Sequence, residues 1–546
     1  MPAESIYPWS PIHSNTTGKQ KSLLARTRNQ SSKTSKTSAT QLRSIVKSAR
    51  DVMRKDKGLN GDLDRLPMLT WIMFLKFLDD MENIRVVEAT LADAHYRPVI
   101  VAPYRWRDWA GRPDGISGDD LKAFINQDEC VRPDGSRGPG LFKYLRGLQS
   151  SDGHGREEII ATVFRGVNNR MESGYLLRDV INLINGIRFD SSEEIHVLSH
   201  LYETMLREMR DAAGDSGEFY TPRPVVQLMV AATDPRLGET VLDPACGTGG
   251  FLVEAYTHMA DQCETGEDRR LLQESIVGGE AKPLPYLLGE MNLLLHGMDS
   301  PSIAYGNSLA QPLTGIGDGQ RVDVILTNPP FGGEEERGIL GNFPEDRQTA
   351  ETTLLFLQVI MRRLRRAGAG ADRGGRAAVV VPNGALFGDG VAARIKEELL
   401  KEFNLHTVVR LPNGVFAPYT NIPTNLLFFE RGGPTGTIWY YEHPLPEDRK
   451  NYTKTKPLRY EEFKPLLTWW HDRHEAEQAW RVSADDVLVY DDDGNLVSVN
   501  LDIKNPSGGD PFEHIPPEGL VADIIAKEQK ILTLMNEIQQ SLGISA

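Results

Sequence analysis

The sequence predicts an α/β fold, with a largely parallel sheet that follows a helical domain and is itself followed by a C-terminal amphipathic helix. Three observations carry this. After Gly214, short β-branched runs alternate with helical segments, as strand–helix–strand units require. Before it, from about 41 to 210, apolar residues recur at helical spacing. The chain has 546 residues, 40% hydrophobic and 25% charged, a globular balance with length for about three or four folding units.

Taken in order, residues 1–40 form a basic arm. Nine basic residues lie between Lys19 and Arg50, and Glu4 is the only acid before Asp51. Such a segment is a solvated disordered tail or a contact for nucleic acid. In the helical domain, 41–210, the stretch 67–84 is apolar enough for a largely buried helix. A second helix is announced by Asp190-Ser191-Ser192-Glu193, a capping-box-like start, and continues through Ile195, Leu198, Leu201, Tyr202, Met205 and Met209. Between them, 104–156 reads as loop and short helix. The α/β domain, 211–432, offers strands at 239–242, 275–278, 303–305, 322–326, 377–381, 406–410 and 425–429, with helices at 351–366 and 391–403. Residues 433–515 form a mixed extension rich in Trp, Tyr and charge. In 516–546, Ile524, Ile531 and Ile538 recur at seven residues, a helix that needs a partner surface on its own chain or another.

Composition excludes several classes. Sixty-one Lys and Arg against 76 Asp and Glu leave a net charge of −15, which argues against gripping a polyanion with the whole surface. Three cysteines, Cys130, Cys246 and Cys263, without paired spacing, predict neither a disulfide framework nor a zinc module, and no metal is expected. No run of 18 apolar residues occurs and the N-terminus lacks a secretory core, so the expectation is no membrane span, no export and a cytoplasmic location.

Two loops carry chemistry. Val241-Leu242-Asp243-Pro244-Ala245-Cys246-Gly247-Thr248-Gly249-Gly250-Phe251-Leu252 reads as a strand, a tight glycine turn and a helix, whose free N–H groups and open backbone suit a ligand. No GxxxxGK[ST] is present, which disfavours a nucleoside triphosphate. The next strand ends in Gly278-Gly279-Glu280, where a carboxylate could accept from both hydroxyls of a ribose, or stand as a mere surface acid. Asp243 could face a ligand's ammonium group or cap the loop's amides. Asn307, in Tyr305-Gly306-Asn307-Ser308, could read a nucleobase edge or serve only as a turn residue.

The second loop is Asn328-Pro329-Pro330-Phe331, running directly out of the strand Val322 to Thr327. Two prolines fix φ, remove two donors and stop the strand, so the loop is rigid. The Asn328 amide oxygen and the Pro329 carbonyl can together hold both protons of an –NH2 group, and Phe331 supplies a face for stacking. An exocyclic amine is a poor nucleophile because its lone pair is delocalised into the ring. Two acceptors favour its pyramidalisation and aim the lone pair at an electrophilic methyl group.

These residues resemble the N6-adenine DNA methyltransferases, and more closely the modification subunit of type I restriction-modification systems. The resemblance rests on Gly217-Glu218-Phe219-Tyr220-Thr221-Pro222-Arg223, on Asp243 to Leu252, on Met291-Asn292-Leu293-Leu294-Leu295-His296-Gly297 and on Thr327 to Gly332. Phe74-Leu75-Lys76-Phe77-Leu78 and Asn500-Leu501-Asp502-Ile503-Lys504-Asn505-Pro506 add to it, and it covers about 45–430 well. It implies a Rossmann-like S-adenosylmethionine-dependent methyltransferase core. It also implies that Glu218, Phe219, Tyr220, Thr221, Pro222 and Arg223 cover the methionine end of the cofactor. Gly247, Thr248, Gly249 and Gly250 would hold its amino-acid portion and Glu280 its ribose. The family commonly has an acid where Asn307 stands; an amide could still accept from the cofactor's amine.

The expectation is therefore methylation of adenine N6 in double-stranded DNA, with the target base flipped out to reach Asn328. Neither an ATPase loop nor a target-recognition domain is recognisable. The chain alone should not cleave DNA, and sequence choice should come from a separate specificity subunit; a second copy of this chain and a restriction subunit are candidate further partners, whose presence and number the sequence does not give. The alternatives are a methyltransferase for another planar amine (cytosine N4, RNA adenine or a protein glutamine) and a scaffold subunit without turnover.

Overall fold

The computed structural model describes residues 39–187 and 221–507, apart from positions 92, 94, 150–155, 333–334, 369–372, 418–419, 421, 447–448 and 454, together with isolated helical positions from 525 to 535. Residues 1–38 of the basic arm, the helix expected over 190–209, Glu218 to Tyr220 and most of the terminal helix lie outside the described residues.

The N-terminal region is helical as its periodicity requires: α1 (Ala39–Met53), α2 (Asp62–Leu91), α3 (Gly118–Asn126), α4 (Leu141–Arg146), α5 (Arg156–Arg165) and α6 (Gly174–Asn185). The central helix α2 starts five residues before the expected 67, so Pro67 lies inside it. A proline near a helix start has few ladder bonds to disrupt. Trp71, Ile72, Phe74 and Leu75 of α2 are buried almost completely, and the 104–156 stretch packs around them as short helices and a two-residue hairpin.

The second half of the chain is built on a nine-stranded sheet: β1 (Val241–Asp243), β2 (Ile276–Glu280), β3 (Ser302–Tyr305), β4 (Val324–Thr327), β5 (Arg376–Pro382), β6 (Asn404–Arg410), β7 (Thr424–Glu430), β8 (Thr437–Glu442) and β9 (Ala479–Ser483). Helices α7 (Arg223–Thr233), α8 (Gly250–Ala260), α9 (Gly266–Ser275), α10 (Pro283–Leu295), α11 (Thr352–Arg363) and α12 (Val391–Glu402) flank it. The strand order is β9-β8-β6-β7-β5-β4-β1-β2-β3, and β7 and β9 run against the others. All seven expected strands are present. The sheet, however, does not stop at residue 432, because β8 and β9 extend it beyond β6. The aromatic texture of the extension is strand surface: Tyr440 of β8 stacks on Trp480 of β9 with ring centroids 5.4 Å apart.

Alternation along each strand feeds both faces. Ala378 and Val380 of β5, with Leu426 and Phe428 of β7, join the core shared with the N-terminal helices. Ala377, Val379 and Val381, with Leu427 and Phe429, pack on the opposite side against α11 and α12. Chain order reverses between β1 and β4, which are paired directly at Leu242 and Ile325. That reversal opens a crevice beyond their carboxyl ends, and both chemical loops leave the sheet there.

Candidate active site

The glycine loop is built by close approach. Gly247 (φ +53) and Gly249 (φ +77) adopt left-handed conformations, and a Cβ on Gly289 of α10 would lie 3.1 Å from the Gly247 carbonyl oxygen. Asn292 of the same helix donates from Nδ2 to the Thr248 carbonyl at 2.9 Å. The Cys246 amide donates to Gly279 O at 2.9 Å, and Ser308 Oγ donates to Pro244 O at 2.6 Å. A Cβ on Gly279 would stand 2.6 Å from that hydroxyl, so the paired glycines of β2 are there for space.

Glu280 is more than a surface acid. Its Oε2 accepts from the Gly247 amide at 2.9 Å and its Oε1 from Lys282 N at 2.7 Å, so it shapes the loop while each oxygen keeps a lone pair for a ligand. Burial pushes its pKa up. Asp243 performs the capping role, with Oδ1 accepting from Ala245 N at 3.1 Å. It is fully buried, and that burial pushes its carboxyl up to about 7 despite the Ala245 amide and the nearby Thr327 hydroxyl, with Glu280 adding repulsion. Asn307 makes a turn contact, its Oδ1 accepting from Leu309 N at 2.9 Å, which leaves that oxygen a second lone pair. Its Nδ2 donates to Glu335 Oε2 at 3.2 Å, bringing in a carboxylate that sequence reasoning did not single out.

Of the segment 218–223, the described part is Thr221, Pro222 and Arg223. Pro222 is the N-cap residue of α7, and Arg223 pairs with Glu254 of α8 at 2.5 Å, which ties the segment to the helix that follows the glycine loop.

Across the crevice β4 is buried throughout, and Asn328-Pro329-Pro330-Phe331 leaves its end. Thr353 Oγ1 donates to the Pro330 carbonyl at 3.2 Å and holds the loop on α11. The Asn328 side-chain oxygen is buried and, among the described residues, has no hydrogen-bond donor. A buried acceptor left unpaired costs about 1–3 kcal/mol, which an incoming N–H would offset. Phe331 meets Phe416 edge-on, with centroids 6.1 Å apart and planes at 62°. Phe416, Thr353 and Glu335 were not singled out from the sequence, and Asn292 was quoted only within a motif: Phe416 and Thr353 come from other elements, and Glu335, though close to Phe331 in the chain, meets Asn307 only through the fold.

The residues fit S-adenosylmethionine: a cradle that a Cβ would crowd, a buried acid whose oxygens each keep a lone pair, and a second loop whose Asn328 oxygen has no donor among the described residues. Among the described residues no group of three or more His, Cys, Asp or Glu could hold a metal ion, and no helix is long and apolar enough to cross a membrane.

A glycine loop and an Asn-Pro-Pro-Phe loop facing one crevice of such a sheet define an amino-group methyltransferase. The model of the N-6 DNA methylase family matches residues 193–504. The methylase subunit of the type I restriction enzyme EcoEI from Escherichia coli is 46% identical over 510 residues, covering 92% of this chain and 97% of that one. A modification subunit ascribed to a type I restriction enzyme of Vibrio vulnificus YJ016 superposes with a TM-score of 0.83 at 66% identity, over 88% of this chain and all of that one. A chain from a type I restriction-modification assembly gives a TM-score of 0.71 at 39% identity, over 92% and 98%. The chain belongs to the N-6 DNA methylase family, among the methylase subunits of type I restriction enzymes, and is an adenine-specific DNA methyltransferase.

Proposed function

We propose that this chain methylates N6 of an adenine flipped out of double-stranded DNA, as the modification subunit of a cytoplasmic type I assembly whose sequence choice resides in a specificity subunit. The assembly would also include a second copy of this chain and a restriction subunit. The observation that carries the reading is the buried oxygen of Asn328, without a hydrogen-bond donor among the described residues, at the end of the strand paired with the one that leads into the glycine loop.

S-adenosylmethionine supplies the electrophilic methyl group. Gly247, Thr248, Gly249 and Gly250 would hold its amino-acid portion, with Asp243 beneath the loop. Glu280 would take the ribose hydroxyls and Asn307, with Glu335, the adenine edge. Thr221, Pro222 and Arg223, with Glu218, Phe219 and Tyr220, would close the methionine end. The target adenine stacks on Phe331 while Asn328 Oδ1 and the Pro329 carbonyl accept its two amine protons, which aims the lone pair at the methyl carbon. The rigidity that Pro329 and Pro330 give the loop keeps those acceptors in place through the transfer, and the extra proton leaves afterwards.

Methyl transfer from tritiated cofactor, followed by nucleoside analysis, tests the reading. Asn328→Ala should reduce formation of N6-methyladenine by about 10³-fold while cofactor affinity changes by less than about twofold. Label in cytosine, RNA or protein instead, or normal turnover by the variant, would sink it.

A further inference from the structure

On the same rim of the sheet as Asn328 stands an aromatic ring that the chemistry above leaves unused. Phe387 follows β5 and the short turn Asn383–Leu386, and it is 48% exposed. Its backbone is nevertheless held on both sides. Leu386 is buried and its carbonyl accepts from Leu501 N at 2.7 Å, while Asp389 bridges to Ser498. Earlier in the turn, Asn383 N donates to Pro423 O at 2.8 Å and Asn383 Nδ2 donates to Asp502 at 3.1 Å. Gly388 (φ +111) and Gly390 (φ +60) then carry the chain sharply away, through conformations that side-chain-bearing residues rarely adopt.

The turn that carries the ring and the catalytic loop follow the carboxyl ends of neighbouring strands. β4 and β5 are parallel neighbours, with Thr327 level with Val379, so Asn328 and Phe387 leave the same edge of adjacent strands. Ile422, 50% exposed, lies on the same rim, immediately before the Pro423 that Asn383 binds.

We propose that Phe387 is the wedge that enters the base stack and fills the space vacated when the target adenine swings out to Asn328. The inference rests on the DNA-adenine reading above. Extrusion leaves a gap between the flanking bases and an unpaired thymine, and a flat apolar ring restores stacking on both sides. Phe is among the side chains that insert between base steps. Stacking is sequence-tolerant, which suits a subunit that leaves sequence choice to a partner. A ring carried on a braced backbone also loses little freedom on insertion.

The test uses the chain assembled with its specificity subunit, and two duplexes that differ only opposite the target adenine: thymine in one, an abasic site in the other. Phe387→Ala should lose about tenfold or more in kcat/KM on the paired duplex, yet stay within about threefold of wild type on the abasic duplex, where the base leaves without breaking a pair. Phe387→Trp should keep most of the activity on both. With 2-aminopurine at the target position of the paired duplex, the Ala variant should show less of the fluorescence rise that reports extrusion. Wild-type turnover by Phe387→Ala on the paired duplex overturns the wedge. So does an equal loss on both duplexes, the outcome expected if the ring docks on a protein partner. Failure of the wild-type assembly to methylate either duplex would overturn the DNA-adenine reading itself, and the wedge with it.

Discussion

At the scale of single residues, the site is organised around buried polar atoms whose partners are unequal. Asn328 keeps a free acceptor, whereas the acids near the glycine loop are engaged or neutralised. Glu290 of α10, fully buried, has its carboxyl pushed up to about 8 by that burial, against an ordinary value of 4.5. The unfolded chain therefore releases this proton first as pH rises, so folding stability falls between those two values. Glu290→Gln should remove that slope: denaturant unfolding at pH 6, 7 and 8 should show the variant gaining on wild type by up to about 1.4 kcal/mol per pH unit, and a constant difference would refute it. Asp243, pushed up to about 7, gives a ligand-linked counterpart. If it ionises against the cofactor's ammonium group, binding at pH 6 should release up to about one proton, read by calorimetry in buffers of different ionisation enthalpy. Asp243→Asn should abolish the release.

At the scale of elements, the glycine loop is shaped as much by α10 as by its own sequence. Glycine at 289 lets that helix come close, since a Cβ there would stand 3.1 Å from Gly247 O. Gly289→Ala should push the two apart by a few tenths of an ångström and weaken cofactor binding about three- to tenfold, with Gly289→Val worse. An Ala variant that binds normally would show that the approach is unimportant. Legibility differed between elements for a physical reason. The strands 324–327, 376–382 and 424–430 are buried on both faces, so they read as continuous apolar runs. β8 and β9 were missed because β9 is an antiparallel edge strand broken by Arg481, and β8 beside it is an aromatic-rich run, Ile438-Trp439-Tyr440-Tyr441, that has no single period. Gly278 and Gly279 were legible as glycines; that one clears Leu252 and the other Ser308 was not.

At the scale of the molecule, the net charge of −15 is the property to explain in an enzyme acting on a polyanion. It is consistent with phosphate contacts supplied largely by a partner subunit. The isolated chain should then bind duplex DNA weakly at physiological salt, with a shallow salt dependence, and tight specific binding by this chain alone would count against the partner model. The N-terminal helices are locked to the catalytic half: Arg156 of α5 pairs with Asp299 at 3.1 Å and donates to its carbonyl at 2.9 Å, and Arg85 of α2 meets the same carboxylate.

The sequence alone determined the α/β class, the positions of the core strands along the chain and the two loops, because each of these is written in contiguous residues by glycine, proline and hydrophobic periodicity. The tertiary structure decided which groups share the crevice. Glu280 against Gly247, Asn292 against Thr248, Phe416 beside Phe331, and Phe387 braced by Leu501 and Ser498 all join positions separated by tens of residues or more. Contacts of that range follow from how strands order themselves in a sheet, which no local pattern records.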